Sequence, residues 1–408
     1  MKETVVSAPG KFLLTGEYLV ALESDRPAYS AAINRRVFSW IGELEGRSVT
    51  INMPQFGIVG KMDIGDGGKT EVYPTSKRRQ FRYIENAVEF TLRYLKEAGV
   101  SLEGMHIITL NERDFFRDWG ISKSRFGSSA AATVATVGAI FSYYHRDISN
   151  PEERERIFNL SQMAHHHSQG GFGSGFDVST SLNGSQVYTR FPEDNIPPKA
   201  TLTNKVILNR TDSKWTYSMR SLGLPEGVET AIAVTRGLDN PIEMLSRVRH
   251  MKSSRQDIYG DVMNKLDVAN RDFVSLLERG VRGEEIGQAL TRTRLLTREL
   301  GEKSGVVIEP PHIRAALDNV VSMGGAWGAK LQGAGGGYSA IALCSMEHFY
   351  HSCGIMSTAG FTPLSDMRVD NSTEKPIGMR LEDPQTFHDL ANSLGLALFE
   401  PDHGYHEN

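Results

Sequence analysis

Gly127-Ser128-Ser129 closes a short polar segment and opens onto Ala130, after which small and apolar residues run to Tyr144 without a proline. That pattern describes a loop feeding a helix of about four turns. The first N–H groups of a helix lack partners inside it and the positive end of the dipole faces the same way, so small side chains there leave room for a phosphate. Taken alone, the same residues also describe a serine N-cap on a buried alanine-rich helix. Two further glycine-rich stretches accompany it, GGFGSGFD at 170–177 and KLQGAGGGY at 330–338. Neither the Walker loop nor the dinucleotide fingerprint is present, because no Gly-Lys-Ser/Thr follows at the required spacing and the third glycine of GxGxxG falls on Phe176.

Charged residues sit beside these loops. Lys11 follows Pro9-Gly10, and Asp177 ends the second loop, where it could cap the next helix or abstract a proton. The run Lys77-Arg78-Arg79-Gln80-Phe81-Arg82 reads as a solvated face, though a phosphorylated substrate would want such donors near its pocket. His165-His166-His167 invites a metal reading that helix geometry opposes, since consecutive side chains point about 100° apart; near a helix C-terminus they complement the dipole.

The elements that must hold these groups read as a mixed α+β chain. Strands are expected at 4–8 (ended by Pro9-Gly10), 28–40, 49–51, 58–62, 105–110, 186–191, 205–208 and 229–234, with helices at 84–98, 130–144, 152–167, 241–262, 266–279, 284–302 and 313–323. A strand, glycine loop and strand fill 328–343, and the proline-rich stretch at 192–200 has the composition of a link. A chain of 408 residues is too long for one simple core. Residues 1–200 and 201–375 are expected to form two domains, with 376–408 as an extension.

A net charge of −4 and a pI near 6.3 give no electrostatic footprint for nucleic acid or an anionic membrane. Cys344 and Cys353 are the only cysteines and no charged-then-apolar leader is evident, which predicts a cytoplasmic protein without a disulfide framework. Apolar runs fall short of about 18 residues, so no membrane span is expected.

Together the three loops resemble the motifs of the GHMP kinase superfamily, in order over Ala8 to Gly16, Ser124 to Ala131 and Gln332 to Gly337. Within it, the stretches 169–191, 298–311 and 334–343 resemble the eukaryotic-type phosphomevalonate kinase branch. The resemblance implies an α+β GHMP kinase fold, an N-terminal ribosomal-S5-like domain and a C-terminal ferredoxin-like domain with the active site between them. It also implies ATP with Mg²⁺ and a phosphorylated hydroxy acid such as mevalonate phosphate as acceptor, in a monomer or homodimer.

The roles follow the same resemblance. Gly127, Ser128, Ser129 and Ala130, with Gly333, Gly335 and Gly336, would hold the nucleotide, and the Ser129 hydroxyl would face Mg²⁺. Asp177 would accept the acceptor's proton, with Lys11 stabilising the developing charge. Lys123, Arg125 and Arg35 (or Arg36), with Ser174, Gly175, Gly336 and Gly337, would hold the acceptor. The chain departs from the family at Arg125, where the first motif glycine is expected, and at Ser339, where a related branch has aspartate. His166 stands at the position of a magnesium-binding glutamate in mevalonate kinases. The competing readings are a kinase for mevalonate 3-phosphate or another small hydroxy acid, a decarboxylase of the superfamily, and a nucleotide- or metabolite-binding regulator without turnover.

Overall fold

The computed structural model describes residues 2–64, 70–73, 75–113, 126–171, 173–235, 241–337, 339–371 and 377–396. Two sheets organise them. Strand β1 (Glu3–Thr15) leads through the short helix α1 (Glu17–Leu22) into β2 (Ala28–Glu43), which pairs with it antiparallel. β3 (Ser48–Met53), β4 (Ile58–Asp63), β5 (Thr70–Tyr73) and, after helix α2 (Arg78–Glu97), β6 (Met105–Asn111) extend that sheet, with β3 against β6 its parallel pair among the described residues.

Pro9-Gly10 does not end the first strand. The register against β2 jumps between Pro9 and Lys11, from Arg36 to Ala32, so the proline sits at an irregularity where a missing N–H costs no ladder bond. Lys11 is therefore held within a strand rather than on a turn.

Helix α3 (Ser128–Tyr143) lies on the sheet between α2 and α4 (Pro151–Ser168). Its alanines let the backbones approach, while Val134, Val137, Ile140 and Phe141 are fully buried, each burial being worth about 1.5–3 kcal/mol. The helix α5 (Phe176–Asn183) and strand β7 (Gln186–Thr189) follow, β7 pairing with the near end of β2.

The segment expected as a strand at 205–208 is instead helix α6 (Asn204–Asp212), started by the Thr203 side chain accepting the Val206 N–H. Burial of Ile207 against α2 and α4 outweighs the β-prone composition. Strand β8 (Ser218–Ser221) pairs with β7, so the chain stays with the first sheet well past residue 200. After residue 376 it returns there: β13 (Arg380–Glu382) pairs with β1, and α12 (Pro384–Ser393) buries Phe387 against Trp40 and Phe38. Sheet membership thus coincides with neither the expected division at 200 nor an extension at 376–408; residues 397–408 lie outside the described ones.

The second sheet runs β10 (Gly328–Leu331), β11 (Ser339–Cys344), β9 (Glu229–Val234) and β12 (Thr362–Pro363), all antiparallel. Alternation along it sends Ala231, Ala233, Ala340 and Ala342 towards α10 (Pro311–Ser322) and α11 (Met346–Thr358), while Ile232, Ile341 and Leu343 face the larger core. Helices α7 (Pro241–Ser254), α8 (Gln256–Glu278) and α9 (Glu284–Ser304) form a layer that receives Tyr18 and Leu19 of α1. The break between α7 and α8 falls at Arg255, earlier than the expected one. Because α1 is gripped by that layer, the opening between the two sheets is lined by β1, α1, α5, α7 and the glycine loop after β10.

Candidate active site

A cleft of about 700 Å³ fills that opening. Lys11 reaches it from β1, Asp177 from the first turn of α5, Ser174 from the second glycine loop, and Gly333 and Gly335 from the third. Five expected residues separated in sequence by up to 324 positions thus line one cleft. The first loop stands immediately behind them. Gly127, with φ of 80°, turns the chain into α3 without a side-chain cap, and the Lys11 N–H donates to the Phe126 carbonyl at 2.7 Å. A β-carbon on Gly127 would stand 2.9 Å from Lys11 Cγ, so the loop needs glycine both for its conformation and for the lysine alongside.

His165 joins this loop to Asp177, a connection the sequence did not single out. Its Nε2 lies 3.2 Å from Ser129 Oγ and its Nδ1 3.8 Å from Asp177 Oδ2. Burial pushes the imidazole pKa down and nearby Lys11 adds to that, while Asp177 opposes it; the ring is therefore neutral near pH 7. Tyr83 completes the cluster, its ring 5.4 Å from His165. The histidine beside the serine is thus His165 rather than His166, which lines the cleft instead. The three histidines point apart as helix geometry requires, and no group of three metal-binding side chains occurs among the described residues.

The two oxygens of the Asp177 carboxylate have different surroundings. Its Oδ1 accepts the Val178 N–H at 3.0 Å, a local tie, while Oδ2 is the oxygen on the His165 side. Gly175, not the aspartate, caps α5.

The acceptor-binding expectations fare differently. Lys123 and Arg125 lie outside the described residues. Arg35 does not line the cleft: it is three residues beyond Ala32, the partner of Lys11, hence about 10 Å further along β2, and it reaches the Asn34 carbonyl. Arg36 is buried by structural bonds to Ser7 and to the Ile377 and Gly378 carbonyls. Gly175 is packed against Gln162, and the Gly336 N–H donates to Ile308 at 2.9 Å, so that donor is turned away from any phosphate. Gly337 is buried beside it, with φ of 90°. The basic run at 77–82 is tied locally, Arg78 to Glu85 at 2.9 Å, in keeping with its solvated-face reading.

Sequence reasoning also missed a buried pair beside the cleft, one member of which, Glu17, lines it. Glu17 of α1 and Lys330 of β10 form a buried ion pair that links the two halves. Burial by itself pulls the Lys330 ammonium down towards about 7; the carboxylate in contact holds its proton in place. Above them the Tyr18 hydroxyl donates to the Ala334 carbonyl at 2.8 Å, pinning the third glycine loop.

Two half-buried histidines make stability depend on pH. Burial holds His166 below its usual value and takes His167 down to about 4. The unfolded chain, titrating near 6.5, takes up these protons first, so the native state loses stability as pH falls below about 6.5 and continues to do so towards about 4. The urea midpoint is expected to drop between pH 6.5 and pH 5, and His167→Gln to flatten that drop; an unchanged midpoint in wild type would contradict the assignment.

Family models for the GHMP kinases N terminal domain and the GHMP kinases C terminal match residues 82–185 and 274–349. Phosphomevalonate kinase ERG8 of Gibberella zeae is 26% identical over 388 residues, covering 83% of this chain and 86% of that protein. A mevalonate kinase of Thermococcus gammatolerans is 24% identical, covering 93% and 98%. The structure of Streptococcus pneumoniae phosphomevalonate kinase in complex with phosphomevalonate and AMPPNP shares the fold, with a TM-score of 0.69 at 18% identity over 88% of this chain and 98% of that one. The chain belongs to the GHMP kinase superfamily and has its mixed α+β fold of N- and C-terminal domains. It is an ATP-dependent kinase of the phosphomevalonate kinase-like kind. No helix among the described residues is long and apolar enough to cross a membrane.

Proposed function

We propose that the protein transfers the γ-phosphoryl group of ATP to 5-phosphomevalonate, giving 5-diphosphomevalonate. The observation that carries this reading is the convergence of Lys11 and Asp177 in one cleft, with His165 bridging Asp177 to the serine loop at the N-terminus of α3. Phosphoryl transfer needs positioning and charge neutralisation more than covalent help. The N-terminus of α3 and the glycines at 333 and 335 receive the triphosphate. The acceptor's oxygen attacks the γ-phosphorus while its proton passes to Asp177, and the β,γ-bridging oxygen departs with ADP. Lys11 offsets the charge that develops on the reacting oxygens.

The donor set suits Mg²⁺. With His165 neutral, the Ser129 hydroxyl can donate to Nε2 and keep oxygen lone pairs for a hard cation, which takes its other ligands from phosphates and water. When bound, the ion neutralises charge on the β- and γ-phosphates. His165 keeps Ser129 and Asp177 in register.

The test is a panel of mevalonate, mevalonate 5-phosphate and mevalonate 3-phosphate with ATP and Mg²⁺, products being identified by mass and phosphorus NMR. A diphosphate from the 5-phosphate alone is the expected result. Preference for the 3-phosphate at its 5-hydroxyl would move the reading to the neighbouring kinase, carbon dioxide release would move it to a decarboxylase, and absence of turnover with all three would leave a regulator.

A further inference from the structure

We propose that the buried ion pair between Arg294 and Glu309 positions the third glycine loop and so sets how tightly the nucleotide is held. The inference rests on the kinase reading above, which places the triphosphate at Gly333 and Gly335, and it gives a role to part of the stretch 298–311 that the sequence singled out. Neither Arg294 nor Glu309 lines the cleft, so the pair acts through the backbone.

Between α9 and α10, residues 305–310 form a strap behind the loop that follows β10. The strap leaves α9 with the Val306 N–H donating to the Gly301 carbonyl at 2.8 Å. At Ile308 it meets the glycine loop backbone to backbone. The Gly336 N–H donates to the Ile308 carbonyl, and a β-carbon on Gly335 would stand 2.4 Å from that same oxygen, so no side chain separates the two segments. Ala334 is held by the Tyr18 hydroxyl. A shift of Ile308 is therefore passed directly to Gly335, which does line the cleft.

What fixes Ile308 is the residue after it. The Glu309 carboxylate takes both bonds of the Arg294 fork, from Nε at 2.7 Å and from Nη2 at 2.9 Å, with each side chain 4% exposed. Arg294 is itself held by α10: its Nη1 pairs with Asp318 at 2.8 Å and its Nη2 also donates to the Arg314 carbonyl at 3.2 Å. One guanidinium on α9 thus ties down both the strap and the helix that follows it. A pair buried this deeply gains little net stability, because desolvation offsets the attraction; what the planar fork adds is a fixed orientation.

Arg294→Lys keeps the charge but not the fork, and Glu309→Asp keeps the charge but withdraws the carboxylate by one methylene. Each is expected to raise the Kd of AMPPNP with Mg²⁺, measured by calorimetry, and KM for ATP about tenfold or more, the effect of a loop displaced by a fraction of an ångström. kcat at saturating ATP should stay within threefold and KM for 5-phosphomevalonate within twofold, the pattern of lost nucleotide binding alone. Thermal unfolding of each variant separates this from a merely structural role, which would lower the Tm and leave Kd and KM of the folded protein unchanged. Kd and KM within twofold of wild type in folded variants, or an equal rise in KM for the acceptor, overturns the positioning role while leaving the kinase reading intact. Failure of both variants to fold also overturns it, by making the pair a determinant of the fold. Wild-type protein that binds AMPPNP but phosphorylates none of the three acceptors overturns the kinase reading, and the Kd comparison then still decides the strap; wild-type protein without affinity for AMPPNP overturns both.

Discussion

Asp177→Asn is expected to lower kcat by about 10²-fold or more, the range that a positioned general base contributes. The substitution is close to isosteric, and an amide oxygen can still accept the Val178 N–H that Asp177 Oδ1 now takes at 3.0 Å, so α5 should form as before. What disappears is the negative oxygen on the His165 side, the proposed proton acceptor. KM for ATP should change little, because the proposed nucleotide contacts lie at the loop Gly127–Ser129 and not at this carboxylate. Lys11→Met belongs in the same assay. The Lys11 side chain packs on Gly127 and its ammonium lies 4.9 Å from the centre of the Phe176 ring, contacts that methionine largely keeps while losing the charge. Steady-state kinetics on both variants decide the matter: rates within threefold of wild type would remove the pair from the chemistry.

Lys330→Met is expected to destabilise the protein by about 3–5 kcal/mol, because it strands the Glu17 carboxylate at a site where both side chains are 3–4% exposed. Adding Glu17→Gln should recover much of that loss, since the amide carries no charge to leave unpaired. Urea midpoints for the single and double variants measure the effect. A single variant within 1 kcal/mol of wild type would show that water or a rearranged partner reaches Glu17, and would end the account of this pair as a buried link between the halves.

Much of the site was legible in the chain because its parts are local signals. A glycine loop entering an alanine-rich helix announces an open helix N-terminus, Lys11 follows a Pro-Gly pair, and Asp177 comes two residues after Gly175, which has a positive φ and a close neighbour in Gln162. The strand at 28–40 and the helix beginning after Gly127 follow from patterns within a few residues. The misreadings arose where tertiary packing outweighed a local preference. Pro9-Gly10 sits at a register shift inside a long strand, and the β-prone 205–208 became helical on α2 and α4.

The sequence by itself therefore determined the glycine-led, uncapped start of the helix after Gly127, the lysine and the aspartate that line the cleft, and a charge balance without a nucleic-acid footprint, all of which depend on residue type and short spacing. Only the tertiary structure decided which histidine of three meets Ser129, that Arg35 lies away from the cleft, and that Glu17 closes on Lys330. Each of those is a relation between elements remote in the chain. It is fixed by how far along a strand a side chain falls, which way a helix turns it, and what burial leaves it to bond, none of which local spacing encodes.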